Sequence, residues 1–300
     1  MSFSSDVKER ISTVINKCEY CNRAELSAIV RYSGRINNSG IVLTTENESC
    51  AKRMRQLIAE NTGIDASYIH KEKSRLFEME ISQESAVENI CDLLMLFDDD
   101  NEALIPFDCC AASYIRGAFL GGGSISDPKK SYHMEFDSRF LAEAERLRKV
   151  LNRFSLNCSI TERKGHFIVY IKDYSTIADC LGVMGDSSAA LEIYNLSVER
   201  ELRNTINRQL NCESANMDKT ADAYQKHIKA ISIIKKNVGL DKLPDVLQEI
   251  ARVRLEYPED SLKQLGQRLE QPIGKSGVNH RLNRILEIAE NSKDKKRKGK

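Results

Sequence analysis

The stretch "AASYIRGAFLGGGSISDP", Ala111 to Pro128, decides the fold. A helical pattern, "SYIRGAFL", runs straight into three glycines and then into a run that reads as strand. One glycine supplies the left-handed residue that commonly caps a helix. Three in succession imply that something packs very close to this backbone, where any side chain would intrude.

A weaker version of the same stretch, "AELSAIVRYSGRI", occurs near the N-terminus, and the two open a repeat. The first copy runs from helix "NRAELSAIVRYSG" through a strand around "GIVLTTEN", helix "SCAKRMRQLIAENTG" and strands "SYIHKEK" and "RLFEMEIS" to helix "SAVENICDLLMLF". The second runs "SYIRGAFLGGG", "YHMEFDS", "RFLAEAERLRKVLNRFS", "CSITERK", "HFIVYIK" and "YSTIADCLGVMG". Strands are read from alternation and helices from the 3.6-residue period. The repeat matches Cys21 to Cys110, Leu26 to Ile115, Gly34 to Gly123 and Ile36 to Ile125. It predicts a pseudo-twofold αββαββα domain of α+β class over residues 1–205, with the two opening helices packed at the axis. Small residues there (Ala28 and Ser33; Gly117, Gly121 and Gly122) let the backbones approach.

"SYIRGAFLGGGSI" resembles the signature helix of the LAGLIDADG homing endonucleases, with "AELSAIVRYSGRI" as its first copy. In that family each paired helix ends in an acid that holds catalytic divalent metal. Hydrolysis of a phosphodiester needs such a cation to stabilise charge and activate water. The acidic positions fall here on Ser33 and Gly122, and the other Asp of the second motif falls on Leu120. The resemblance therefore implies the fold without the metal site. Asp127, beyond the glycines in "SDP", reads as a turn residue. Glu78, Glu80 and Glu135 fall in strands, and acidic strands repel phosphate.

After "SVERELRNTINRQL", residues 206–235 read as a linker that ends as helix, with Asn211 and Asn216 capping turns. Residues 236–291 carry three short helices. "LPDVLQEIARVRLEYP" places Val246, Leu247, Ile250, Val253 and Leu255 on one face and ends at Pro258. Ser261 caps "SLKQLGQRL", which buries Leu262, Leu265 and Leu269. After the loop "EQPIGK", Ser276 caps "SGVNHRLNRILEIAE", which buries Val278, Leu282, Ile285 and Ala289. Three helices with a broken turn before the last predict an all-α helix-turn-helix domain. Lys263, Arg268, Lys275, Ser276, Asn279, His280, Arg281 and Arg284 are its candidate DNA-binding residues. Arg and Asn pair with guanine and adenine edges, and free N–H groups at a helix start suit phosphate.

A LAGLIDADG-like domain followed by this helix-turn-helix resembles the WhiA family of bacterial regulators linked to sporulation and cell division. The resemblance spans about residues 5–291 and is most specific in "SYIRGAFLGGGSISDPKKSYHMEF" and "SGVNHRLNRI". It implies sequence-specific binding of double-stranded DNA and a transcriptional or cell-division role without catalysis.

Bulk composition agrees. Three hundred residues, 41% hydrophobic and 30% charged, suit two globular domains, and no apolar run approaches a membrane span. "MSFSSDVKERI" lacks the pattern of a signal peptide, so a cytoplasmic, nucleoid-associated protein is expected. Net charge is −6 over residues 1–200 and +7 over 201–300, which directs the search for a polyanion partner to the C-terminal third. Part of that excess is the tail "KDKKRKGK", and residues 292–300 are expected to be a basic disordered tail. Nine cysteines, odd in number, read as free thiols. Cys18 and Cys21 with Cys109 and Cys110 form a candidate zinc set, but the adjacent second pair makes tetrahedral geometry harder, and buried thiols are the favoured reading. The histidines at 70, 133, 166, 227 and 280 show no ligand spacing. No metal, cofactor or catalytic group is therefore assigned. Two alternatives stay open: an endonuclease with relocated acids, and an N-terminal protein-interaction scaffold tethered to DNA.

Overall fold

A computed structural model of the chain describes residues 2–37, 40–72, 74–98 and 103–298; for Thr220 and residues 293–298 it describes the backbone alone. The chain forms two compact units, Met1–Glu201 and Leu202–Lys300.

In the first unit a leading helix, α1 (Phe3–Ser12), precedes two matching halves. One half is α2 (Glu19–Ser33), β1 (Gly34–Asn37), β2 (Gly40–Thr45), α3 (Glu48–Thr62), β3 (Tyr68–Lys71), β4 (Leu76–Ile81) and α4 (Glu84–Leu93). The other is α5 (Asp108–Gly122), β5 (Gly123–Ile125), β6 (Met134–Ser138), α6 (Leu141–Asn152), β7 (Ser159–Arg163), β8 (His166–Ile171) and α7 (Tyr174–Met184). The αββαββα repeat is present as read. Each half makes one antiparallel sheet, ordered β1-β2-β4-β3 and β5-β6-β8-β7. Pairings such as Leu43 with Met79 and Phe136 with Val169 line up buried residues on one face of each sheet. Local chemistry sets the boundaries: Asn47 and Asp173 cap α3 and α7 through their side chains, and Gly63 and Gly185 end them in left-handed geometry.

The paired helices α2 and α5 form the centre of the unit. Each gives way without a turn to a strand, and Gly34 and Gly123, at φ −80° and −84°, are extended rather than left-handed. The glycine run serves proximity instead. A Cβ on Gly117 would lie 2.2 Å from the Glu25 carbonyl oxygen, and one on Gly122 would lie 2.6 Å from that of Asp137. Neither contact is sterically possible, so glycine is required at 117 by the facing helix α2 and at 122 by β6.

Helix α8 spans Ser187–Asn237. The linker expected over residues 206–235 is therefore helix throughout, and Asn211 and Asn216 sit exposed within it rather than capping turns. The sequence holds no Gly or Pro between Gly185 and Gly239, and each Asn costs only a few tenths of a kcal/mol to ~0.7 kcal/mol in a helix. The first unit closes at Glu201 rather than at residue 205.

The second unit continues through a 3-10 turn (Leu240–Lys242) into α9 (Asp245–Glu256), α10 (Leu262–Gln267) and α11 (Lys275–Lys298). Its core joins Ile231 and Ile234 of α8 to Leu247, Ile250, Leu265, Val278, Leu282 and Ile285. The domain thus reaches N-terminal of residue 236. On α9, Val246 and Leu255 are 48% and 43% exposed, and the buried face uses Ala251 and Arg254 instead. Arg254 is buried and donates from Nη1 to the carbonyls of Pro258 (3.3 Å) and Asp260 (2.8 Å), fixing the turn into α10. Ser261 forms a full capping box with Gln264, whereas Ser276 lies inside α11, which already starts at Lys275. The backbone of α11 stays helical through Lys298, past the expected boundary at 292. Lys and Arg are good helix formers and favour a helix C-terminus. Residues 299–300 of that expected tail lie outside the described residues.

Candidate nucleic-acid interface

Two places could meet a nucleic acid: the ends of the paired helices with their sheets, and the exposed face of the helix-turn-helix.

At the first, Ser33 and Gly122 are the last residues of α2 and α5. Ser33 is buried, and its hydroxyl donates back to the Ile29 carbonyl at 2.8 Å. Beside it the Arg139 guanidinium donates to the Gly34 carbonyl at 3.0 Å, so the charged group at this helix end is a cation. Asp127 accepts from the Lys129 amide at 2.9 Å, as a turn residue does. Among the described residues, carboxylates nowhere converge in a set of three or more that could hold a metal ion.

Acids stand on the sheet faces away from the core, where they offset the basic residues. Glu78 and Glu80 alternate with buried Met79 and Ile81, and Glu135 and Asp137 alternate with buried Met134 and Phe136. Three basic side chains on these faces contact those acids, Lys71 with Glu78 (2.5 Å), Arg163 with Glu135 (3.8 Å) and the His166 ring with Asp137 (2.6 Å), and Arg35 shares the face of Glu80. Phosphate gains little from such a surface.

The helix pair contains an ionic network around Glu25 that the repeat pattern did not signal. Glu25 is fully buried and accepts from Arg53 Nε and Nη2 at 2.8 and 2.9 Å and from Arg116 Nη2 at 3.0 Å. Arg116 also donates to Asn16 and to the Met184 carbonyl. Burial pushes the Glu25 carboxyl up, but the Arg53 hydrogen bonds and the charges of both arginines outweigh it and hold it below the usual carboxylate range. A Glu inside an apolar helical stretch gives no sign in sequence that two distant arginines converge on it.

In the second unit, α11 sorts its residues by face. Val278, Leu282, Ile285 and Ala289 are buried, as expected, while Lys275, Ser276, Asn279, His280, Asn283 and Arg284 are exposed. Asn283 belongs to this face at i+4 from Asn279 and was not among the candidates; the same spacing rule would have found it. Lys263 is exposed on α10, and among the described residues neither it nor Lys275 forms an ion pair.

The arginines are more constrained. Arg268 pairs with Asp260 at 2.5 Å and stacks 3.7 Å from the Tyr257 ring centroid. Arg284 pairs with Glu287 at 2.6 Å but keeps 61% of its side chain exposed. Arg281, only 21% exposed, leans back toward Glu249 at 3.6 Å. Glu249 also accepts from the Glu270 amide at 2.6 Å, so this one carboxylate links α9 to the loop after α10 and to α11. The loop is anchored by close approach as well: the Ile273 amide donates to the Gly266 carbonyl, and a Cβ on Gly266 would lie 2.2 Å from the Ile273 oxygen.

Fold and site together define a two-unit protein: a LAGLIDADG-like pseudo-dimer without acids at its helix ends, followed by a helix-turn-helix with an exposed polar and basic third helix. Comparison with known proteins agrees unit by unit. The WhiA N-terminal LAGLIDADG-like domain matches residues 19–81, the WhiA LAGLIDADG-like domain residues 111–203, and the WhiA C-terminal HTH domain residues 206–289. A "Probable cell division protein WhiA" from Clostridium beijerinckii is 41% identical, covering 97% of this chain and 98% of that protein. One from Alkaliphilus metalliredigens is 39% identical, covering 98% and 99%. The crystal structure of full-length DUF199/WhiA from Thermotoga maritima aligns at a TM-score of 0.62 and 28% identity, covering 97% of this chain and 99% of that one. The chain belongs to the WhiA family.

Proposed function

We propose that the chain is a non-enzymatic, sequence-specific binder of double-stranded DNA that regulates transcription in bacterial cell division and sporulation, acting in the cytoplasm at the nucleoid. The observation that carries this reading is the exposed face of α11. Lys275, Ser276, Asn279, His280, Asn283 and Arg284 stand on one side of a helix whose other side is core. Asn279, near the N-terminal end of that helix, has the donor–acceptor pair that reads adenine. Lys275 and the helix start bind the flanking phosphate, and Lys263 on the preceding helix and Arg268 just after it anchor the backbone. The relatives' name, cell division protein, supplies the process. The lack of carboxylates at Ser33 and Gly122 supports a role without phosphodiester hydrolysis.

The acid-bearing outward sheets of the first unit favour a protein partner over a second DNA contact there. The test is genome-wide occupancy of the tagged protein, wild type against Asn279→Ala. Discrete sites that fade in the variant are expected. Uniform occupancy by wild type, or metal-dependent nicking of plasmid by the purified protein, would sink the reading.

A further inference from the structure

The ends of α2 and α5 opposite Ser33 and Gly122 bring four thiols together. Cys18 is the residue before α2 and Cys21 lies in its first turn; Cys109 and Cys110 lie in the first turn of α5. Their sulfurs all lie within 4.8 Å of one another. Cys18 Sγ is 3.4 Å from Cys21, 4.0 Å from Cys109 and 3.7 Å from Cys110. Cys110 is 3.9 Å from Cys21 and 4.0 Å from Cys109. Four thiolates around one tetrahedral ion at about 2.3 Å stand roughly 3.7–3.8 Å apart. Five of the six separations, between 3.4 and 4.0 Å, bracket that value, and the sixth is within 4.8 Å. They are too long for a disulfide, whose sulfurs bond at about 2.05 Å, and too short for the wider spread of a multi-iron cluster.

Adjacency of Cys109 and Cys110 does not prevent the geometry. Successive residues in a first helical turn diverge by about 100°, and the pair faces Cys18 and Cys21 across the pseudo-twofold axis. Cys21 and Cys110 are buried and Cys18 and Cys109 half-buried. Two helix N-termini point their positive ends at the sulfurs and favour thiolate. Four thiolates can coexist here only around a dication.

We propose that Cys18, Cys21, Cys109 and Cys110 form a structural zinc site that fastens the two halves of the first unit at the N-terminal ends of their paired helices. Binding converts four thiols to four thiolates and releases four protons to solvent, with no change of oxidation state. All four positions are filled by protein, so the ion is structural, not catalytic.

The experiment measures metal in the full chain, purified under reductant and freed of loose ions by gel filtration. One zinc per chain is expected in wild type and in Cys212→Ser, whose thiol is exposed elsewhere. Cys21→Ser and Cys109→Ser should each fall at least tenfold below that. Because either variant could fail to fold, X-ray absorption of the wild type gives a second readout: four sulfur neighbours at about 2.3 Å. Cobalt in place of zinc should show the intense visible bands of a tetrahedral thiolate site. No metal above background, undiminished zinc in a folded Cys109→Ser, nitrogen or oxygen ligands, or iron with acid-labile sulfide would each overturn the proposal.

Discussion

Single residues in the helix pair carry consequences that can be measured. Gly122→Asp would restore one acid of the endonuclease pattern, yet its Cβ would fall 2.6 Å from the Asp137 carbonyl and 3.2 Å from the Tyr32 ring. Overpacking against the backbone should cost about 1–3 kcal/mol, read as a lower midpoint in chemical denaturation. No plasmid cleavage should appear, since Ser33 supplies no second carboxylate. An unchanged midpoint would mean that the helix ends are looser than described. Glu25→Gln tests the other end of the same interface. It leaves Arg53 and Arg116 with an uncompensated buried charge, a loss of about 3–5 kcal/mol at neutral pH. Acid should affect wild type more than the variant. The Glu25 carboxyl titrates lower folded than unfolded, so its stabilisation is complete above the unfolded value and fades as pH falls through the folded one. Equal acid sensitivity of the two proteins would remove Glu25 as the responsible group.

At the scale of elements, the third helix of the helix-turn-helix divides reading from support. Asn279→Ala should cost about 1–3 kcal/mol on a selected site and leave scrambled DNA little changed. Lys263→Ala should weaken both DNAs alike and lower the salt slope by about one. Arg281 is expected to differ from both. Its guanidinium turns toward Glu249, so Arg281→Ala should lower the melting temperature before it alters sequence preference. A shifted preference at unchanged stability would return Arg281 to the reading face. Periodicity made these elements legible: the buried positions Val278, Leu282, Ile285 and Ala289, the Ser261 cap and the order αββαββα all follow from local spacing. What periodicity missed is non-local. Arg254 is buried because carbonyls of a following turn receive it, and Glu249 gains its role from two partners that only the fold assembles. Residues 206–235 misled for a local reason, since polar residues resemble a linker while the absence of Gly and Pro lets a helix run through.

For the whole molecule, the charge asymmetry and the two units make one joint prediction about where DNA affinity resides. The acidic balance of −6 over residues 1–200 coincides with a unit whose sheet faces show Glu78, Glu80, Glu135 and Asp137. The balance of +7 over 201–300 coincides with the unit that exposes Lys263, Lys275 and Arg284. Counterion release scales with the phosphates neutralised, so the salt dependence of binding should belong almost wholly to the second unit. A fragment of residues 202–300 should retain the salt slope of the full chain to within about one, and residues 1–201 should bind at least about tenfold more weakly at the same salt. The fragment must begin well before residue 236, because Ile231 and Ile234 of α8 are buried in the helix-turn-helix core and their loss would leave Ile250 and Leu282 uncovered. A fragment starting at 236 should therefore be less stable and bind less, with unfolding as the cause, which circular dichroism would show. Fluorescence anisotropy across a salt series on one selected duplex measures all three. Equal affinity from residues 1–201 would place the DNA contact on the acid-bearing sheets and contradict the electrostatic reading of both units.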